Sequence, residues 1–405
     1  MRNKTKKNNK GHNAHNKHKI NNKTRKANNK RKYKTQSTHR HTRIFTPYAL
    51  KKGSYSPTIN RDLETLQSIP RQELSDCNIG AAYKLKEPLK IGVPGVFYGE
   101  TCFNYNTPDA KRFLLKNLSA NKHVDIEKIV PPKQFTSNCW FNAMFVIFFV
   151  SDKGRKFFHF FRHLMIEGKQ KDGTHIPHKL RDAFALLNFG VDACLTGNKY
   201  AYRLNTNVII KEIYTAIPPS YKTSDVVDIY NVGNANNPSI YNVGKAGNPI
   251  YYYMSIINYL NSYLNNNSIN MLLIRNAANN WKNQIAEKMK FLTHIPHIIV
   301  LEVYDKNALS FDNKPVSFTI NGEKYQIDSA VVRDVSKQHF CSTITCEKKE
   351  YGYDGMSFHR MEQLEWKNKL NTNFDWGFEG TKDYDGTPLI WNYTKCYQLL
   401  LYYRI

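Results

Sequence analysis

The segment Gln134-Phe-Thr-Ser-Asn-Cys139-Trp-Phe-Asn142 sets a cysteine where polar, irregular backbone meets the densely apolar run CWFNAMFVIFFV. A helix starting there holds the Cys139 thiol among unpaired N–H groups at the positive end of the macrodipole, which favours thiolate over thiol. Thr136, Ser137 or Asn138 is placed to be the N-cap. Attack of that thiolate on a carbonyl creates an oxyanion that needs fixed donors. The Cys139 backbone N–H is one and the Gln134 side-chain amide, five residues upstream, is another. Taken alone, a cysteine on an apolar helix is more often a small buried hydrophobe, so the chemistry requires a base.

His339 opens the strand-like HFCSTITC directly after the polar Ser336-Lys337-Gln338, where a strand end presents an imidazole at the rim of a cleft. Fifteen residues on, Tyr353-Asp354-Gly355 closes the return strand of a hairpin. Asp354 then lies beside His339 on the neighbouring strand and holds its tautomer. In isolation His339 is one of 14 histidines and Asp354 a turn residue before glycine; together with Cys139 they make nucleophile, base and orienter.

These residues need two kinds of element. GRKFFHFFRHLMIEG follows the cysteine helix with Phe157, Phe158, Phe161, Leu164 and Met165 at helical spacing, after a join near Ser151 to Gly154. HKLRDAFALLNFGVDACL continues in the same style, with Gly190 as the expected stop. After a further helical pair, the period changes to that of strands in IPHIIVLEVYD, PVSFTI, EKYQIDSAVVRDV, HFCSTITCEKKEYGYDG and CYQLLLYYRI. Helices first and antiparallel strands later predict an α+β fold. Between them, residues 228–253 hold Ile-Tyr-Asn-Val-Gly twice, with Tyr230 and Tyr241 eleven residues apart, and read as a low-complexity insert of loops or short hairpins. Residues 45–130 show no sustained period and read as an irregular lead-in.

Composition adds limits. Residues 1–61 carry 19 Lys and Arg and no Asp or Glu, so most of the formal net charge of +26 sits there. The first 44 residues, built from Asn, Lys, Arg and His, are expected to be a disordered basic tail. Such a segment offers salt-dependent contact, without sequence selectivity, to nucleic acid or another anionic surface through residues 1–61. No apolar stretch follows a short basic start, so an intracellular, non-secreted protein is expected. The most apolar run, Trp140 to Val150, is too short to span a bilayer, and no membrane association is expected. Seven scattered cysteines without a C-x-x-C pair predict a reducing compartment. Cys341 and Cys346 read as packing residues rather than metal ligands, and no cofactor is required.

The run Gln134-(x4)-Cys139-Trp140-Phe141-Asn142-Ala143 resembles the cysteine box of the ubiquitin-specific proteases. YQIDSAVVRDVSKQHFCSTITCEKKEYGYDG resembles their histidine box, and CYQLLLYYRI their closing strand. The resemblance implies a papain-like cysteine protease fold over 131–405, with a central nucleophile helix, Cys139 as nucleophile, His339 as base, Asp354 as third member and Gln134 as oxyanion donor, Asn138 being the weaker candidate for that last role. It implies a thiol hydrolase, deubiquitinase-like, that cleaves amide or isopeptide bonds at the C-terminus of ubiquitin or a ubiquitin-like protein. The chain departs from the family in having Gln134 for the usual Asn, Phe135-Thr136-Ser137 where a Gly is usual, and Gln338 for the Gly before the histidine. Where many family members carry zinc-binding fingers, the Asn- and Tyr-rich insert stands. The Asn/Lys/Tyr-heavy style is similar to that of proteins encoded by large AT-rich DNA viruses, which would put the chain in host cytoplasm or virion. Two rivals remain: a non-catalytic binding or virion-associated protein tethered by its basic tail, and another acyl-transfer enzyme such as a transglutaminase-like one.

Overall fold

Helix and sheet divide the molecule along the chain. The computed structural model describes residues 75–78, 87–93, 101–135, 137–169, 172–222, 248–263 and 270–405. The expected tail, the start of the lead-in, Thr136 and the Ile-Tyr-Asn-Val-Gly repeat lie outside the described residues.

Strands β1 (Ser75–Asp76), β2 (Lys90–Val93) and β3 (Thr101–Asn104) form a small antiparallel sheet in that order, followed by helix α1 (Pro108–Ala120). The lead-in is therefore more regular than the sequence predicts. A proline in the first turn starts α1, and Ala110, Phe113, Leu114 and Leu118 give it one buried face. A disulfide joins Cys77 to Cys102, which corrects the expectation of a fully reduced set of cysteines. The cause is topological: β2 pairs with both neighbouring strands and brings the two thiols together, which spacing alone does not reveal.

Helices α2 (Cys139–Phe149), α3 (Asp152–Glu167), α4 (His178–Thr196), α5 (Thr206–Ala216) and α6 (Pro249–Tyr263) follow. Every residue of α2 is buried, as expected of a helix apolar all round. Helix α4 runs through Gly190 and ends at Gly197, which takes the left-handed conformation of a C-cap. Gly190 is no stop; a Cβ there would meet Leu204 at 3.0 Å, so the glycine permits close packing inside the helix. Helix α6 begins at Pro249, within the segment read as insert, because Tyr252 and Tyr253 pack on α2 through Trp140, Phe141 and Phe148.

The second half builds an eight-stranded sheet from β4 (Met271–Ile274), β5 (Ile298–Val303), β6 (Ser317–Ile320), β7 (Glu323–Arg333), β8 (Phe340–Cys346), β9 (Lys349–Tyr353), β10 (Met361–Gln363) and β11 (Gln398–Arg404). Its order is β10-β9-β8-β7-β11-β5-β4, with β6 also on β7. All pairs are antiparallel except β4 with β5. The sheet is buried on both faces: along β11, Leu399, Leu401 and Tyr403 face the helical core, while Leu400 and Tyr402 face a second core with Trp366, Trp376 and Trp391. The fold is thus mixed α+β. Cys341 and Cys346 fall into different cores, on opposite faces of β8. Among the described residues no helix is long and apolar enough to cross a membrane.

Candidate active site

Cys139 is the first residue of α2 and is 5 % exposed. The preceding loop reaches it through Ser137, whose φ of 41° is left-handed. Glycine adopts that conformation freely, whereas a side chain makes it costly, so Ser137 holds a strained turn directly before the thiol. Asn138 is the N-cap by position, yet its side chain makes no cap hydrogen bond. Instead its Nδ2 donates to Thr206 Oγ1 (3.0 Å), which donates to Asn142 Oδ1 (2.7 Å), while Asn142 Nδ2 donates to the Lys133 carbonyl (3.3 Å). This buried chain ties loop, α2 and the start of α5 together. It commits the Asn138 amide elsewhere and leaves the first-turn N–H groups of α2 without a side-chain cap.

His339 and Asp354 lie at the facing ends of β8 and β9, which pair from Ser342↔Tyr353 to Cys346↔Lys349. His339 Nε2 is 2.5 Å from Asp354 Oδ1. With Nε2 engaged there, Nδ1 is the ring nitrogen left for the sulfur, and a His339–Cys139 side-chain hydrogen bond contributes to the histidine's protonation. Burial alone would push His339 down, but the negative charge of Asp354 and then the interaction with Cys139 outweigh it, raising the imidazole from 6.5 to about 10. The sequence-predicted Cys139, His339 and Asp354 are thus brought together.

Their supports come from residues that sequence reasoning did not single out. Asp354 is fully buried, and its Oδ2 accepts from Thr381 Oγ1, while Met356 N donates to Oδ1 (3.2 Å). The turn before His339 closes on Asp334, whose carboxylate accepts from the backbone N–H groups of Gln338 (2.6 Å) and His339 (2.5 Å) and from Ser336 Oγ. Trp391 packs edge-on against the His339 ring, centroids 5.9 Å apart. An Asp five residues before a strand-opening histidine is a turn signal readable in sequence. Thr381 and Trp391, 27 and 37 positions beyond Asp354, give none.

Gln134 sits where the two halves meet. Its backbone N–H donates to the Gly355 carbonyl (2.9 Å), and next to it Pro132 O accepts from Tyr353 Oη (2.7 Å) and Pro131 O from Arg360 Nη1 (2.8 Å). Its side-chain Oε1 is buried without a hydrogen-bond partner.

Around this centre stand exposed apolar side chains on the same loops: Phe135 before Cys139, Val335 before His339, Met356 and Phe358 after Asp354, and Ile390 beside Trp391. Val335 N donates to the Ile390 carbonyl (2.8 Å), so two of them share one edge.

No family model and no curated protein matches the chain. Solved structures similar to it include the Ubp8-Sgf11-Sgf73-Sus1 SAGA DUB module, at 10 % identity and a TM-score of 0.39 over 70 % of this chain and 69 % of that one. The SAGA Ubp8/Sgf11/Sus1/Sgf73 DUB module bound to ubiquitin aldehyde matches at 9 % identity and 0.39, over 70 % and 71 %. An essential yeast splicing factor matches at 12 % and 0.28, over 78 % and 83 %. At such scores a match says nothing about activity, substrate or viral origin, and the site stands on its own geometry.

Proposed function

We propose that the chain is a papain-like thiol hydrolase acting at the C-terminal tail of ubiquitin or a ubiquitin-like protein. The observation that carries this reading is the juxtaposition of a helix-initial thiol with a buried imidazole held to a carboxylate at 2.5 Å. The Cys139 thiolate attacks the carbonyl carbon, and the tetrahedral oxyanion is held by the Cys139 N–H and the Gln134 side-chain amide N–H. The imidazolium gives its proton to the departing amine as the C–N bond breaks, leaving a thioester on Cys139. Water deprotonated by His339 attacks that thioester and frees the acid and the thiol. Asp354 keeps the ring oriented and stabilises its cation. None of these steps uses a metal.

The apolar rim of Phe135, Val335, Met356, Phe358 and Ile390 supports a protein substrate with a hydrophobic face, since exposed apolar clusters mark binding surfaces. The cysteine and histidine boxes support ubiquitin or a relative as that protein. One observation favours a non-catalytic binding role: Cys139 and His339 are only 5 % and 3 % exposed.

Ubiquitin bearing a thiol-reactive group at its C-terminus tests the reading. A covalent adduct with the native chain and none with Cys139→Ala is expected. A Cys139 that alkylates with small reagents yet ignores this probe removes ubiquitin as substrate. A thiol inert to both leaves the binding role.

A further inference from the structure

A cavity of about 370 Å³ lies away from the catalytic centre, between α1, the start of α3 and the β8–β9 turn. Its wall includes the apolar side chains of Leu118 and Phe149. The acids that line it, Asp152 and Glu347, are both ion-paired to Arg155 (2.9 and 2.6 Å), and Arg162 in its wall is paired with Asp192 (2.8 Å). Glu347 also meets His123 Nδ1 (3.3 Å). Three exposed lysines at the cavity, Lys122, Lys156 and Lys348, are in no ion pair among the described residues. Burial of its stem, more than the charges of Lys153 and Lys122, pushes Lys156 down. His159, also lining the cavity, is 8 % exposed, and its Nε2 is buried without a hydrogen-bond partner.

We propose that this cavity binds a small organic phosphate, its apolar body against Leu118 and Phe149 and its phosphate between Lys122, Lys156 and Lys348. The volume suits a compact metabolite, and three unpaired ammonium groups match a dianion. Glu347 and Lys348 form the two-residue turn that joins β8 to β9, and Phe149 ends the helix that Cys139 begins. The cavity thus touches the far ends of the elements whose near ends hold Cys139, His339 and Asp354, about 16 Å along α2 by its eleven residues.

Phenyl phosphate titrated into the full chain by calorimetry tests the site, with phenol as the uncharged control and benzoate as the carboxylate control. Saturable binding of phenyl phosphate is expected, weakened at least about tenfold when Lys122, Lys156 and Lys348 are all replaced by alanine. Phenol and benzoate are expected to bind more weakly. Equal affinity in the triple variant would place the anion elsewhere, the basic first 61 residues included, and overturn the proposal. So would the absence of saturable binding, or benzoate binding as tightly as phenyl phosphate. Should the triple variant not fold, Lys156→Ala alone decides, and an unchanged affinity there counts against the site.

Discussion

At the scale of single residues the site is an electrostatic arrangement that can be taken apart. Asp354→Asn keeps the shape of the side chain but removes the charge that holds His339 cationic and oriented, so hydrolysis should fall by about 10²- to 10⁴-fold with little change in substrate affinity. Unaltered turnover would show that Asp354 only packs. The same charge has a thermodynamic signature. Folded His339 holds its proton up to about 10, whereas the unfolded chain releases it near 6.5. Between those values the native state binds more protons, so stability falls as pH rises. The contribution is complete below 6.5 and gone once pH passes about 10. Urea unfolding across that window should show the native chain losing stability more steeply than Asp354→Asn, by at most about 1.4 kcal/mol per pH unit. Parallel profiles would mean that the pair is not ionised in the folded state.

At the scale of elements, what sequence revealed and what it hid divide by range. From Cys139 on, the order of helices and strands apart from β4, the thiol at the start of an apolar helix and the hairpin that sets Asp354 beside His339 follow from local periodicity and short spacing; β4 lies in a stretch that reads as helical. Gly190 misled because a glycine that permits close packing against Leu204 looks the same in sequence as one that ends a helix. Only the start of helix α6, Pro249 to Tyr252, is obscured by the Asn- and Tyr-rich composition of the insert, although Tyr251 and Tyr252 are buried aromatics. The staple between the two halves was unreadable because its partners are more than 200 residues apart: Pro131 with Arg360, Pro132 with Tyr353 and Gln134 with Gly355. That staple is testable at Gly355, where a Cβ would lie 3.0 Å from Gln134 N and 3.2 Å from Gln134 Cβ. Gly355→Ala should push the Gln134 segment off its position and cost about 1–3 kcal/mol of stability. It should also lower hydrolysis by about tenfold to a hundredfold through the misplaced oxyanion donor. Alkylation of Cys139 by a small reagent should be nearly unchanged. If hydrolysis is also unchanged, Gln134 is not the donor.

At the scale of the whole molecule, the main sheet and the helices that cover it bury two large cores, whereas the sheet of β1, β2 and β3 has strands of only two, four and four residues. So small a sheet is not stable alone. Leu89 and Ile91 join it to the helical core beside Phe113 and Leu118 of α1, and the Cys77–Cys102 bond closes a loop of separation 25. By loop-closure entropy a cross-link of that span contributes about 3–4 kcal/mol, a large share of what so few buried side chains supply. Reduction should therefore open this sheet by itself. In hydrogen exchange the backbone amides of Lys90–Val93 and Thr101–Asn104 should lose protection when a thiol reductant is added or Cys77 is replaced by serine. Those of β5, β7 and β11 should stay protected, with the alkylation rate of Cys139 unchanged. Retained protection in the small sheet would mean that packing on α1 suffices without the bond. Loss of protection through the large sheet as well would mean that the lead-in is an integral part of the core, and that redox state reaches the thiol through the fold.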